Sequence, residues 1–147
     1  MRVIGSVILI VNLCGNTTAA KSYSDIKISE LLKRNRSEVE NSKTLAEKLN
    51  AIERFRALIS KNLTGPPTDR NPNALENYYH LVSIDTYLEF VPKKKNSTTC
   101  ESKKKSFKEA SGEASGEAAV PTGSGKPMEM PISITHVAFL IEQVCGN

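Results

Sequence analysis

The chain has no tryptophan, two histidines and three cysteines in 147 residues, and aromatic residues make up only 5% of it. His80 and His136 have no second histidine or cysteine at ligand spacing, which excludes the usual zinc-binding patterns. A lone helical histidine reads instead as a surface or satisfied core residue. There is no phosphate-binding P-loop, no dinucleotide fingerprint and no nucleophile elbow. The glycine-rich piece Gly123-Ser124-Gly125-Lys126 lies in a polar stretch without the strand–turn–helix context of a phosphate cradle. Carboxylates are plentiful, but nothing marks a buried pair with separated pKa values. The sequence therefore predicts a protein that is not an enzyme and that takes no cofactor and no metal.

Long apolar runs are also missing, apart from Val3 to Leu13. That run is too short for a membrane span, which takes about 20 apolar residues. Met1-Arg2 precedes it, and Thr18-Ala19-Ala20 follows with small residues at the positions a signal peptidase reads. Residues 1–20 are thus expected to be a cleaved signal peptide and the product to be secreted and extracellular. Cys14 follows Leu13, where a lipoprotein signal wants a small side chain, so a lipid anchor there is not expected.

In that compartment the remaining residues acquire definite readings. Cys100 and Cys145 survive cleavage, and two cysteines permit one pairing, so a Cys100–Cys145 disulfide is expected. Three N-x-[ST] triplets begin at Asn35, Asn62 and Asn96 and are candidate glycosylation sites.

Periodicity points to a mainly α fold: a helical domain over residues 21–92, a disordered polar linker over 93–131 and a C-terminal apolar helix over 132–147. Ser24-Asp25 offers cap chemistry for a first helix over 24–34, with Ile28, Leu31 and Leu32 at helical spacing. Thr44 and Glu47 form a capping box ahead of the stripe Leu45, Leu49, Ile52, Phe55, Ile59 and Leu63, and Gly65-Pro66-Pro67 ends that helix. Asn71-Pro72 starts the next, whose expected apolar face is Leu75, Tyr78, Tyr79 and Val82. Lys93 to Pro131 offers little to bury, which argues for disorder. Within it, Ser111-Gly112 and Ser115-Gly116, flanked by glutamates, resemble glycosaminoglycan attachment sites, although a simple linker repeat is the preferred reading. From Ile132 the chain turns apolar, with Ile134, Val137, Ala138, Ile141 and Cys145 on one face and Phe139 and Leu140 beside it; Ser133 or Thr135 is the expected cap. A helix apolar this far round is usually buried. A removable lipid-anchor tail is disfavoured by Glu142 and Gln143.

Charge supplies the partner expectations. Lys93, Lys94, Lys95, Lys103, Lys104, Lys105 and Lys108 crowd around Cys100. Outside the cell such a cluster reads as a solvated linker, as a surface for glycosaminoglycan or another polyanion, or as a dibasic processing site that would make the chain a pro-protein. Nucleic acid is not expected, because the compartment is wrong and no aromatics interleave with the lysines.

Residues 21–92 resemble the Turandot family of small secreted stress-response proteins of insects. The points of similarity are Tyr23-Ser24-Asp25 after the signal, the helix segment Asn50-Ala51-Ile52-Glu53-Arg54-Phe55-Arg56-Ala57-Leu58, and Leu88-Glu89-Phe90-Val91-Pro92 where the family has Ile-Asp-Gly-Val-Pro. Phe90 departs from that pattern, as do Lys93-Lys94-Lys95, the polar insert and the cysteine pair. The resemblance implies a humoral factor induced by stress or infection, and it carries over no catalytic residue. The expected function is a secreted, non-enzymatic factor that binds an extracellular protein or a glycosaminoglycan. An extracellular protease inhibitor is a further alternative, for which no contact residues can be named.

Overall fold

The computed structural model describes residues 22–68, 70–118 and 131–146. The expected signal peptide and the end of the expected linker, 119–130, lie outside the described residues. A 3-10 turn, Tyr23–Asp25, precedes five helices: α1 (Ile28–Asn41), α2 (Leu45–Asn62), α3 (Pro72–Leu88), α4 (Ser97–Ala118) and α5 (Ile132–Cys145). The fold is mainly α, and no strand occurs among the described residues.

The first helix begins later and runs longer than its cap chemistry suggests. Ser24 and Asp25 belong to the 3-10 turn, and Lys27 precedes α1 without a side-chain cap. Ile28, Leu32, Asn35 and Val39 share the buried face of α1. Their spacings of four, three and four mark a single helical stripe, and the polar Asn35 conceals its continuation past Leu32.

The capping box of α2 forms as read. Glu47 N donates to Thr44 Oγ1 at 3.2 Å, and Thr44 N donates to the Glu47 carboxylate at 3.2 Å. Thr44→Ala removes an acceptor for one of the unpaired amides of the first turn. It is expected to cost about 1 kcal/mol in a urea titration. Gly65, at φ 114°, then turns the chain in the left-handed region that favours glycine. Tyr23 pins this turn: its hydroxyl donates to Gly65 O at 2.6 Å and accepts from Thr64 N at 3.0 Å.

Asn71 caps α3 through Asn73 N, and Pro72 occupies the first turn. The buried face is not the expected one. Ala74, Leu81, Ile84 and Leu88 enter the core, while Leu75, Tyr79 and Val82 face water; Tyr79 is 66% exposed. α3 carries two apolar stripes, and burial selects the one that continues through Ile84 and Leu88. Tyr78, between the stripes, packs its ring edge-on to Tyr23 at 5.3 Å.

The expected disordered linker is corrected over its central part, because residues 97–118 form α4. Lysine, alanine and glutamate are good helix formers. Asn96 starts the helix, its Oδ1 accepting from Thr98 N and Thr99 N at 3.0 and 3.3 Å. Phe107 meets the rings of Tyr87 and Phe90 at 6.1 and 6.0 Å. The Cys100–Cys145 disulfide, with Cα atoms 5.6 Å apart, ties α4 to the end of α5.

α5 is the centre of the structure and packs against each of the other four helices. Ile134, Val137, Leu140, Ile141 and Val144 are buried, as its all-round apolar character predicts. Its N-cap is Pro131 rather than Ser133 or Thr135. Ser133 is buried instead, bonded to Ser83 of α3 at 3.0 Å. The chain leaves α5 at Gly146, where a Cβ would lie 2.3 Å from Glu142 O.

Candidate functional site

Asn35 of α1 and His136 of α5 form a polar pair in the interior. His136 Nε2 lies 2.8 Å from Asn35 Oδ1. An amide oxygen only accepts, so Nε2 carries the proton and Nδ1 the lone pair. Phe55 stands edge-on to the imidazole at 5.4 Å, and Phe139 lies 6.0 Å away on its own helix. Arg36 covers Phe139 with its guanidinium carbon 4.4 Å from the ring centroid. Burial pulls the His136 pKa from 6.5 down to about 4, and the Arg36 charge pushes the same way. The imidazole is therefore neutral at pH 7 and acts as a hydrogen-bonding part of the core. His80 lies on the surface of α3, 3.6 Å from Glu76. Among the described residues no three His, Cys, Asp or Glu side chains converge as metal ligands would.

A second polar anchor is Arg56, which the sequence pattern does not single out. Its Nη1 and Nη2 donate to Leu88 O and Val91 O, each at 2.6 Å. A planar cation with several donors is suited to carbonyls at a helix C-terminus; Leu88 O also accepts from Val91 N at 3.0 Å. Glu53 Oε1 sits 3.0 Å from Nε as a charge partner, off the line of the N–H bond. Arg56 thus joins α2 to the end of α3 and the segment that follows it. It also lines an open groove of about 700 Å³ whose walls mix acidic Glu53, Asp85 and Glu89 with basic Lys93 and Lys103.

The lysine cluster divides into two groups. Lys95 donates to Gly146 O at 3.1 Å, Lys103 to Glu89 O at 2.8 Å, and Lys104 pairs with Glu142 at 3.2 Å. These three hold α4 and its approach to the body. Lys93, Lys94, Lys105 and Lys108 are exposed. Lys103, Lys104 and Lys105 lie within a helix, a poor protease substrate compared with an exposed loop. Cleavage in the exposed loop at Lys93–Lys95 would leave α5 embedded among α1, α2 and α3. The arrangement therefore disfavours release of a free C-terminal peptide.

The remaining surface feature is apolar. Leu75, Tyr79 and Val82 recur at i, i+4 and i+7 on the outer side of α3, and Ile132 is 46% exposed at the start of α5. The Ser83–Ser133 bond brings that start alongside α3.

Asn35 is 3% exposed and enclosed in the core, not on the surface where a glycan acceptor is expected. Asn62 is half-buried and donates to Leu58 O at 2.7 Å. Asn96 is exposed. Ser111 is buried and bonds Lys108 O, which removes it as an attachment site. Among the described residues no helix is long and apolar enough to cross a membrane. No protein-family model, curated protein or solved structure matches the chain.

Proposed function

We propose that this chain is a secreted, non-enzymatic humoral factor that acts by extracellular binding and responds to stress or infection, as its resemblance to the Turandot family implies. The observation that carries the binding role is the second apolar stripe of α3, Leu75, Tyr79 and Val82, which is exposed. A disulfide-bonded helical body suits an oxidising compartment. Measurement of transcript and medium-protein levels after heat and bacterial challenge tests the reading. Induction of both is expected, and a flat profile with no product in the medium rejects it.

A second reading is favoured by the exposed Lys93, Lys94, Lys105 and Lys108, which offer a surface to sulfated glycosaminoglycan. Their change to glutamine is expected to abolish most salt-dependent retention on heparin. The same change at Lys103 and Lys104 should lower retention less, because those ammonium groups already have partners. Equal losses from both sets would reject this surface.

A further inference from the structure

We infer that Asn96 is the N-glycan acceptor of the folded protein and that Asn35 stays bare, although both begin an N-x-[ST] triplet. The inference rests on the secretory reading and orders three formally equivalent triplets on structural grounds, with Asn96 first and Asn35 excluded.

Three observations separate them. The Asn35 side chain is enclosed, with its oxygen bonded to His136 at 2.8 Å and its nitrogen buried. A sugar on that nitrogen would have to displace α5 from α1. Chains modified there would fail to close the core, and the folded, exported pool would lack them. At Asn62 the nitrogen points back into α2, donating to Leu58 O at 2.7 Å. At Asn96 the division of labour is reversed: the oxygen caps α4 through Thr98 N and Thr99 N, so the nitrogen takes no part in the cap. The residue is exposed in the segment between Pro92 and α4. The acceptor nitrogen can be substituted there without loss of a single protein hydrogen bond.

The transfer draws on a lipid-linked oligosaccharide diphosphate. A bond forms between Asn96 Nδ2 and the anomeric carbon of the first sugar. The bond from that carbon to the diphosphate oxygen breaks, the lipid diphosphate leaves with the electron pair, and the amide loses one proton to a base of the transferase. The product remains an amide, so its oxygen still caps α4.

The test is expression of the full chain in glycosylation-competent eukaryotic cells, once with residues 1–20 and once with an unrelated signal peptide in their place. Enzymatic deglycosylation in heavy-oxygen water then labels each previously occupied asparagine, and peptide mass mapping reads the label. Asn96 is expected to be labelled, Asn35 unlabelled, and Asn62 labelled less than Asn96. Thr98→Ala, which destroys the triplet and leaves the Asn96 cap, should remove one glycan from the intact mass. Ser37→Ala, which destroys the first triplet and leaves Asn35 bonded to His136, should change nothing beyond its own substitution mass. Label on Asn35 in folded, secreted protein, or none on Asn96, overturns the inference. Export under the unrelated signal but not under residues 1–20 rejects the secretory reading instead, and the site assignment is then decided by the exported protein.

Discussion

Acidification from pH 7 to pH 4 is expected to cost the fold roughly 3 kcal/mol through His136 alone. The unfolded chain takes up a proton on this imidazole near pH 6.5, whereas the folded chain does so only near pH 4. Between those values the unfolded state binds more protons. The contribution of neutral His136 is therefore intact above about pH 6.5, falls with pH, and is fully lost below about pH 4. At pH 5 the loss should be about 2 kcal/mol. The physical cause is that the new proton would sit on Nδ1, in a site walled by Phe55 and Phe139 and adjacent to the Arg36 cation. Urea titrations across this range measure the effect. His136→Gln keeps a donor for Asn35 Oδ1 but does not titrate, and its stability should fall much less between pH 7 and pH 4. Parallel pH profiles for the two proteins would show that the acid sensitivity lies elsewhere.

The second large effect is expected from the disulfide. Cys100→Ser with Cys145→Ser opens a loop of 45 residues, for which chain entropy predicts a loss of about 4 kcal/mol. The loss should be spread unevenly. α4 is otherwise held by the ring of Phe107, the Lys103–Glu89 carbonyl bond and the Lys104–Glu142 pair. Exposed pairs of this kind contribute little, about 0–1 kcal/mol. Gly112 and Gly116 also lower the intrinsic helicity of α4. Hydrogen exchange should accelerate first and most in α4, while the amides of α2, α3 and α5 stay protected. Uniform acceleration across all five helices would mean that the bridge supports the whole core rather than one element.

What could be read in advance was whatever depends on near neighbours. The Thr44–Glu47 box, the Asn71-Pro72 start and the all-round apolar face of α5 each rest on residues a few positions apart, and each appears in the structure. The cysteine pairing is legible once Cys14 is assigned to the expected signal peptide, because Cys100 and Cys145 then leave one pairing. The two stripes of α3 are indistinguishable in sequence, because Leu75, Tyr79 and Val82 satisfy the same spacing rule as Leu81, Ile84 and Leu88. Periodicity identifies a stripe but cannot say which of two faces the core. α4 was hidden because its sequence is polar, and its attachment depends on one phenylalanine and one cysteine rather than on a continuous apolar face. The enclosure of Asn35 is invisible in its triplet, because three letters carry no information about burial. Its partner His136 lies 101 positions away, beyond the reach of any local pattern. One trace was present: Asn35 falls on the same helical stripe as Ile28, Leu32 and Val39, where a polar residue should prompt a search for a buried partner.

The central position of α5 has a consequence for biosynthesis. A ribosome makes the chain in order, at roughly 5–20 residues per second, so α1, α2, α3 and α4 are all synthesised before α5. Until then Ile52, Phe55, Leu81 and Ile84 face an unfilled centre. Cys100 must likewise wait as a thiol until Cys145 has been made. Each nascent molecule therefore passes through an interval in which these apolar surfaces lack the helix that covers them. A message cut short before codon 132 would encode no smaller version of this fold, because the element that closes it is translated after all the others.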